Sequence, residues 1–203
     1  MVEFFLNNKK VVAKDDETIW AVAKREGITL PHLCFADKPG YRADGNCRAC
    51  MVSIEGERVL AASCIRKPTE GMKVLTNDER SIKSRKMVLE LLVTDQPDRE
   101  TSHDPDSHFW KIASDIDVEK SRFEKREKKI VPCEDSSHVA MSVNLDACIH
   151  CNLCVRACRE VQVNDVIGMG NRGHHSKVVF DFNDPMGDSS CVCLLYTSPS
   201  PRD

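Results

Sequence analysis

Eight of the chain's 11 cysteines fall into two sets. Cys34, Cys47, Cys50 and Cys64 are spaced C-x12-C-x2-C-x13-C, and Cys148, Cys151, Cys154 and Cys158 are spaced C-x2-C-x2-C-x3-C. Both spacings read as iron–sulfur ligand sets, and a chain that holds such groups moves single electrons. A bridged two-iron centre takes four thiolates, two per metal. Three must come from one loop folded over the group, because a C-x2-C pair alone reaches only one side. Cys34, Cys47 and Cys50 can supply that loop, and Cys64 the far side. Gly40, Gly45 and Ala49 keep the loop free of bulk, so backbone N–H groups can approach the sulfurs and help set the potential. In the second set, three thiolates wrap one cubane and the fourth ligates the other cluster of a two-cluster pair. Cys47-Arg48-Ala49-Cys50 alone is also compatible with zinc. A zinc-binding interaction module without redox activity is therefore the alternative of a different class.

The elements around these thiols follow from the apolar pattern. Val2–Leu6 reads as a strand, Asn7-Asn8 as a turn, and Val11–Ala13 as the returning strand. Thr18 to Glu26 reads as a helix with Thr18 as its N-cap and Gly27 as its stop. A long cysteine loop follows, then a strand at Met51–Ile54, a turn at Glu55-Gly56, a return at Arg58–Leu60 and a last strand at Val74–Thr76. Strand pair, helix, loop and strands is the element order of a β-grasp domain. Asn77 to Thr94 reads as one helix, charged in its first half and nearly all apolar from Met87 to Val93. That apolar end predicts burial all round. Residues 95–140 show little periodic apolar pattern, and Lys120 to Lys129 is a mixed charge run of the kind found on solvated helices and linkers. Ser142-Val143 and Val178–Phe182 read as short strands flanking the second cysteine set. No internal repeat is present.

Composition bounds the function. The chain has 203 residues, a net charge of −3 and 41% hydrophobic residues, so it offers modest cores and no basic field for nucleic acid. The start shows no charged segment leading into an apolar run, and nowhere do about 18 apolar residues follow one another. Cysteine richness without a secretion signal points to metal rather than disulfides and to a cytoplasmic setting. No nucleophile–base constellation or P-loop is present. Gly168-Met169-Gly170-Asn171-Arg172-Gly173 lacks the strand-to-helix context of a dinucleotide fingerprint.

The segment Val2 to Thr94 resembles the N-terminal ferredoxin-like domain shared by three families. These are the large subunit of respiratory complex I, iron-only hydrogenases, and the alpha subunit of NAD-linked, molybdenum-dependent formate dehydrogenases. The resemblance implies a [2Fe–2S] cluster on Cys34, Cys47, Cys50 and Cys64. Such families often continue with a histidine followed by three cysteines that bind a [4Fe–4S] cluster. Here Gln96 stands in place of the histidine, and Glu100, His103 and Phe109 fall on the cysteine positions. No cysteine lies between Cys64 and Cys133, so no cluster is expected in that stretch. His103 and His108 could bind a metal, but read better as ordinary surface or core histidines. Cys133 is assigned no role.

Arg156-Ala157-Cys158-Arg159-Glu160-Val161-Gln162 looks like the matching stretch of complex I and formate dehydrogenase subunits. Asp184-Pro185-Met186-Gly187-Asp188-Ser189-Ser190-Cys191 looks most like the formate dehydrogenase branch, which makes Cys191 a further candidate ligand. That branch implies a molybdopterin domain downstream and a flavin- and NAD-binding partner, so electrons would be relayed towards NAD. A complex I or NAD-reducing hydrogenase diaphorase subunit is the alternative within the same class.

The expected architecture is α+β. It has a β-grasp [2Fe–2S] ferredoxin-like domain at 1–77, a helix and linker at 78–140, and a partial bacterial-ferredoxin-like [4Fe–4S] module at 141–192. Residues 193–203 read as a non-native tail on a fragment of a longer product.

Overall fold

Two asparagines decide how the chain starts. Asn7 and Asn8 both take positive φ, 49° and 68°, the backbone that closes a two-residue hairpin with the right twist. The hairpin sets β1 (Val2–Leu6) against β2 (Lys9–Ala13), with Phe4 opposite Val11 and Val2 opposite Ala13. Alternation then turns Phe4, Leu6, Val11 and Ala13 to one buried face. The computed structural model describes residues 1–125 and 134–190.

α1 (Ile19–Arg25) packs its buried Ile19, Trp20, Val22 and Ala23 on that face. The Thr18 hydroxyl accepts the Ala21 N–H at 3.3 Å, and Gly27 follows the helix at φ 79°. β3 (Met51–Ile54), β4 (Ala61–Ala62) and β5 (Lys73–Leu75) complete a sheet of order β2-β1-β5-β3-β4. β1 and β5 run parallel, and the other neighbours are antiparallel. The return from β3 is therefore at Ala61–Ala62, not Arg58–Leu60. Val59 is exposed, while Ala62 is buried against Val52 and Cys50 in the core.

α2 (Glu79–Asp95) corrects a second expectation. It is not buried all round. Ser81, Arg85, Leu89 and Val93 form one buried stripe at four-residue spacing, while Leu91 is 51% exposed. An arginine on the buried side and a leucine in solvent show that position on the helix outweighed hydropathy here. α3 (His108–Asp115) did not stand out in the sequence. The Ser107 hydroxyl caps it by accepting the Trp110 N–H at 3.4 Å, and Phe109, Trp110, Ile112 and Ala113 are buried. From Lys120 to Lys125 the chain is bend and coil. The rest of the charge run, Cys133, and residues 191–203 with Cys191 lie outside the described residues.

The described residues divide into two compact units. The first joins Met1–Phe35, Arg42–Asp95 and the described residues 104–125; it holds the sheet and α1 to α3. The second takes Ala36–Tyr41, Gln96–His103 and the described residues from Glu134 to Ser190. Within it, β6 (Asp135–His138) pairs with β7 (Met141–Val143), and β8 (Ile167–Gly170) pairs with β9 (Lys177–Phe180), both antiparallel. α4 (Leu153–Arg156) runs into one π-helical turn at Ala157–Val161. Val155, Cys158, Val166, Ile167, Val178, Phe180 and Met186 make its small core. The Asp135 carboxylate ties the unit together by accepting the Met186 N–H at 2.7 Å. The glycine-rich stretch Gly168–Gly173 starts in β8 and leads by a short 3₁₀ turn into β9, so it is a strand-to-strand connection. Among the described residues no helix is long and apolar enough to cross a membrane.

Candidate iron–sulfur sites

The front thiols sit where three elements meet. Cys34 ends the segment after α1, Cys47 and Cys50 lead into β3, and Cys64 follows β4. Cys34 and Cys50 are 0% exposed, Cys64 is 2%, and Cys47 is half-buried. α1 braces the Cys64 turn. Its first N–H groups, which have no partner inside the helix, are used by that turn: Ile19 N–H donates to the Arg66 carbonyl at 2.9 Å and Trp20 N–H to the Ser63 carbonyl at 3.0 Å. The Trp20 indole N–H donates to the Leu30 carbonyl at 3.1 Å and so holds the strand of chain that leads to Cys34. Ser63 in turn donates its hydroxyl to the Cys50 carbonyl at 2.7 Å. Neither Trp20 nor Ser63 announces this role by residue type.

The loop between Cys34 and Cys50 bends on left-handed residues. Gly45 takes φ 63°, a conformation that calls for glycine. Arg48, directly after Cys47, takes φ 60° although it has a side chain. Cys47 N–H then points at the Cys34 sulfur, 3.5 Å away. Asn46 N–H also turns to Cys34 and Ala49 N–H to Cys47.

The thiols act on one another in pairs. Hydrogen bonds from the Cys47 and Cys64 thiols, with help from backbone N–H groups, hold Cys34 well below the usual thiol range. A hydrogen bond from Cys64 lowers Cys50 in the same way. Donating these bonds pushes Cys47 and Cys64 up, the first through Cys34 and the second through Cys34 and then Cys50. Cys34 with Cys47, Cys50 with Cys64, and Cys34 with Cys64 are thus linked. Among the described residues no group of three or more His, Cys, Asp and Glu side chains is arranged to hold a single metal ion. Buried and half-buried thiols linked in pairs and supplied with backbone donors fit a bridged two-iron group, whose metals each take two thiolates.

The second set divides three against one. His150 and Asn152, on either side of Cys151, take φ 52° and 62°, and these reversals turn the loop back on itself. His150 N–H donates to the Cys148 sulfur at 3.4 Å. Cys148 is pushed up by burial and then by Cys151. Cys154 presents part of its residue to solvent, yet its thiol is crowded enough for desolvation to push it up to about 11, with Cys151 and Cys148 adding to the rise. Cys148, Cys151 and Cys154 therefore share one neighbourhood. Cys158 lies in the apolar core, 1% exposed, and accepts N–H groups from Val166 at 3.2 Å and Ile167 at 3.5 Å.

Gln96 is 5% exposed, and its side-chain amide faces the Cys148 carbonyl at 3.5 Å. His108 turns a ring nitrogen to the His32 carbonyl at 3.0 Å, with the two rings 5.3 Å apart. Arg85 was missed in the sequence, where it read as part of a charged half-helix. The stripe Ser81, Arg85, Leu89, Val93 was the signal that placed it inside.

A β-grasp sheet with paired buried thiols in its cluster loop is the form of a [2Fe–2S] ferredoxin-like domain. Residues 1–79 match the family model described as a 2Fe-2S iron-sulfur cluster binding domain. The chain is 28% identical over 197 residues to the NADP-reducing hydrogenase subunit HndD of Solidesulfovibrio fructosivorans, covering 95% of this chain and 33% of that protein. It is 29% identical over 183 residues to the mitochondrial NADH-ubiquinone oxidoreductase 78 kDa subunit of Candida albicans, covering 87% of this chain and 25% of that one. It is 23% identical over 184 residues to a subunit of the NADH-quinone oxidoreductase of Rickettsia prowazekii, covering 88% of this chain and 26% of that one. The chain thus spans a third or less of the length of these curated relatives. Its fold is that of a chain in the crystal structure of an NAD+-reducing [NiFe]-hydrogenase in the H2-reduced state, with a TM-score of 0.80 and 24% identity over 94% of this chain and 80% of that one.

Proposed function

We propose that the chain is an electron-relay region of an oxidoreductase that exchanges electrons with a nicotinamide cofactor. Cys34, Cys47, Cys50 and Cys64 hold a [2Fe–2S] cluster. Cys148, Cys151 and Cys154 ligate one [4Fe–4S] cluster, and Cys158, set apart from them, serves a second. The observation that carries this reading is the pairwise linkage of four thiols, three of them buried and Cys47 half-buried, beside backbone donors in the front loop. The residues perform no bond chemistry. When bound, the clusters accept and release one electron at a time. The protein keeps water from the sulfurs, supplies N–H donors and fixes the ligand positions. The stretch with Gln96 in place of a histidine holds no cluster.

Two parents fit this role. Asp184–Ser190 resembles the formate dehydrogenase branch, and the absence of cysteine between Cys64 and Cys133 counts against complex I and hydrogenase subunits, which normally carry the middle motif. In that case a molybdopterin domain and a flavin/NAD subunit are the partners. The names of the relatives favour a hydrogenase or complex I subunit instead. Molybdenum content and formate-dependent NAD reduction in the native enzyme separate the two.

The test of the relay itself is anaerobic reconstitution with iron and sulfide counting, then EPR of the reduced protein at several temperatures. A slowly relaxing signal from the front centre is expected, and Cys50→Ser should shift or weaken it. A colourless protein that takes up zinc and no sulfide would establish the interaction-module alternative.

A further inference from the structure

α2 carries a buried positive charge to the front site. Arg85 is 8% exposed, and its guanidinium donates to the carbonyl of Thr76, itself 4% exposed. Thr76 follows β5, which pairs antiparallel with β3 through Ser53 opposite Leu75 and Ile54 opposite Val74. Continuing that register carries Thr76 towards the start of β3, where Cys50 immediately precedes Met51. α2 packs on β3. The guanidinium is thereby fixed at the Cys50 end of the strand.

Burial disfavours the charge on Arg85, while Asp78 and then Cys50 favour it. Of the two, Asp78 acts on it more strongly. One of its carboxylate oxygens accepts the Ser81 N–H at 3.4 Å, and the other is buried with no hydrogen-bond partner. Arginine keeps its proton throughout the working range, so this is a permanent charge in a medium that screens poorly.

We propose that Arg85 is a positioning residue that sets the reduction potential of the front [2Fe–2S] centre. The proposal rests on the reading of Cys50 as a ligand. Reduction adds one electron to the cluster, with no bond formed or broken and no proton taken up. The cluster and its thiolates gain one negative charge. A fixed cation nearby stabilises the reduced form more than the oxidised form, and so raises the midpoint. The Thr76 carbonyl holds the guanidinium in place, which makes the effect one of position as well as charge.

The experiment is an EPR-monitored redox titration of the full chain after reconstitution, with dithionite as reductant, comparing wild type, Arg85→Met, Arg85→Gln and Arg85→Lys. Iron and sulfide content is measured on each sample. The two neutral variants should hold a full front centre whose midpoint moves to more negative potential, and the lysine variant should stay near wild type. An unchanged or more positive midpoint in the neutral variants overturns the proposal. So does an equal shift in the lysine variant, which would make the effect one of packing. Neutral variants that lose the centre while wild type keeps it would make Arg85 a residue of the fold and overturn the proposal too. A wild-type chain with no centre at all refutes the underlying ligand assignment instead, so the two failures are told apart.

Discussion

Cys34 and Cys158 show how differently one side chain can be treated. Cys34 receives hydrogen bonds from two neighbouring thiols, which lower it from the ordinary thiol range. Cys158 sits among valines, Phe180 and Met186, with two backbone N–H groups aimed at its sulfur. The first sulfur takes its hydrogen bonds from neighbouring thiols and backbone, the second from the backbone alone. Asp135 does comparable work without metal. Hydrogen bonds from Ser137 and from the Met186 N–H hold its carboxyl below the ordinary value of 3.8. A carboxyl lowered on folding adds stability above its ordinary value and loses it as pH falls through the folded one. The second unit should therefore loosen below about pH 4, with earlier hydrogen exchange at the Met186 amide. Asp135→Asn should remove most of that acid dependence, and an unchanged exchange profile would contradict the role.

At the scale of elements, the hairpin, α1 and β3 were legible because local chemistry and burial agree there. Asn7-Asn8 closes the hairpin, Thr18 caps the helix, and alternation marks the buried face. β6 was not legible, because Asp135-Ser136-Ser137-His138 carries no apolar pattern and is tied by side-chain hydrogen bonds instead. α2 was legible as a helix but not in its orientation. Long apolar and charged runs hid the stripe that faces inward, and only packing reveals that Leu89 is buried while Leu91 is not. The cysteine spacing gave the candidate ligands, but not the braces Trp20, Ser63 and Arg85, whose work depends on tertiary contacts. Leu89 is 0% exposed, so Leu89→Ala should cost about 2–5 kcal/mol. Leu91→Ala, on the exposed side, should cost well under about 1 kcal/mol. Denaturant unfolding of the full chain checks the contrast, and equal losses would refute the assigned face.

For the whole molecule, the front unit does not end where the β-grasp strands do. α2 and residues 104–125 belong to it. A chain cut after Asn77 keeps all four front cysteines but loses Arg85, Leu89 and Val93 from the buried stripe. It should melt at lower temperature than the full chain and retain less iron after gel filtration. Equal melting and equal iron would mean that the sheet and α1 suffice.

The left-handed residues beside Cys47 and Cys151 have one more effect. Arg48, His150 and Asn152 hold positive φ without being glycine, at a cost of roughly 1–3 kcal/mol each. Glycine at any of the three positions should therefore relieve that strain rather than add to it.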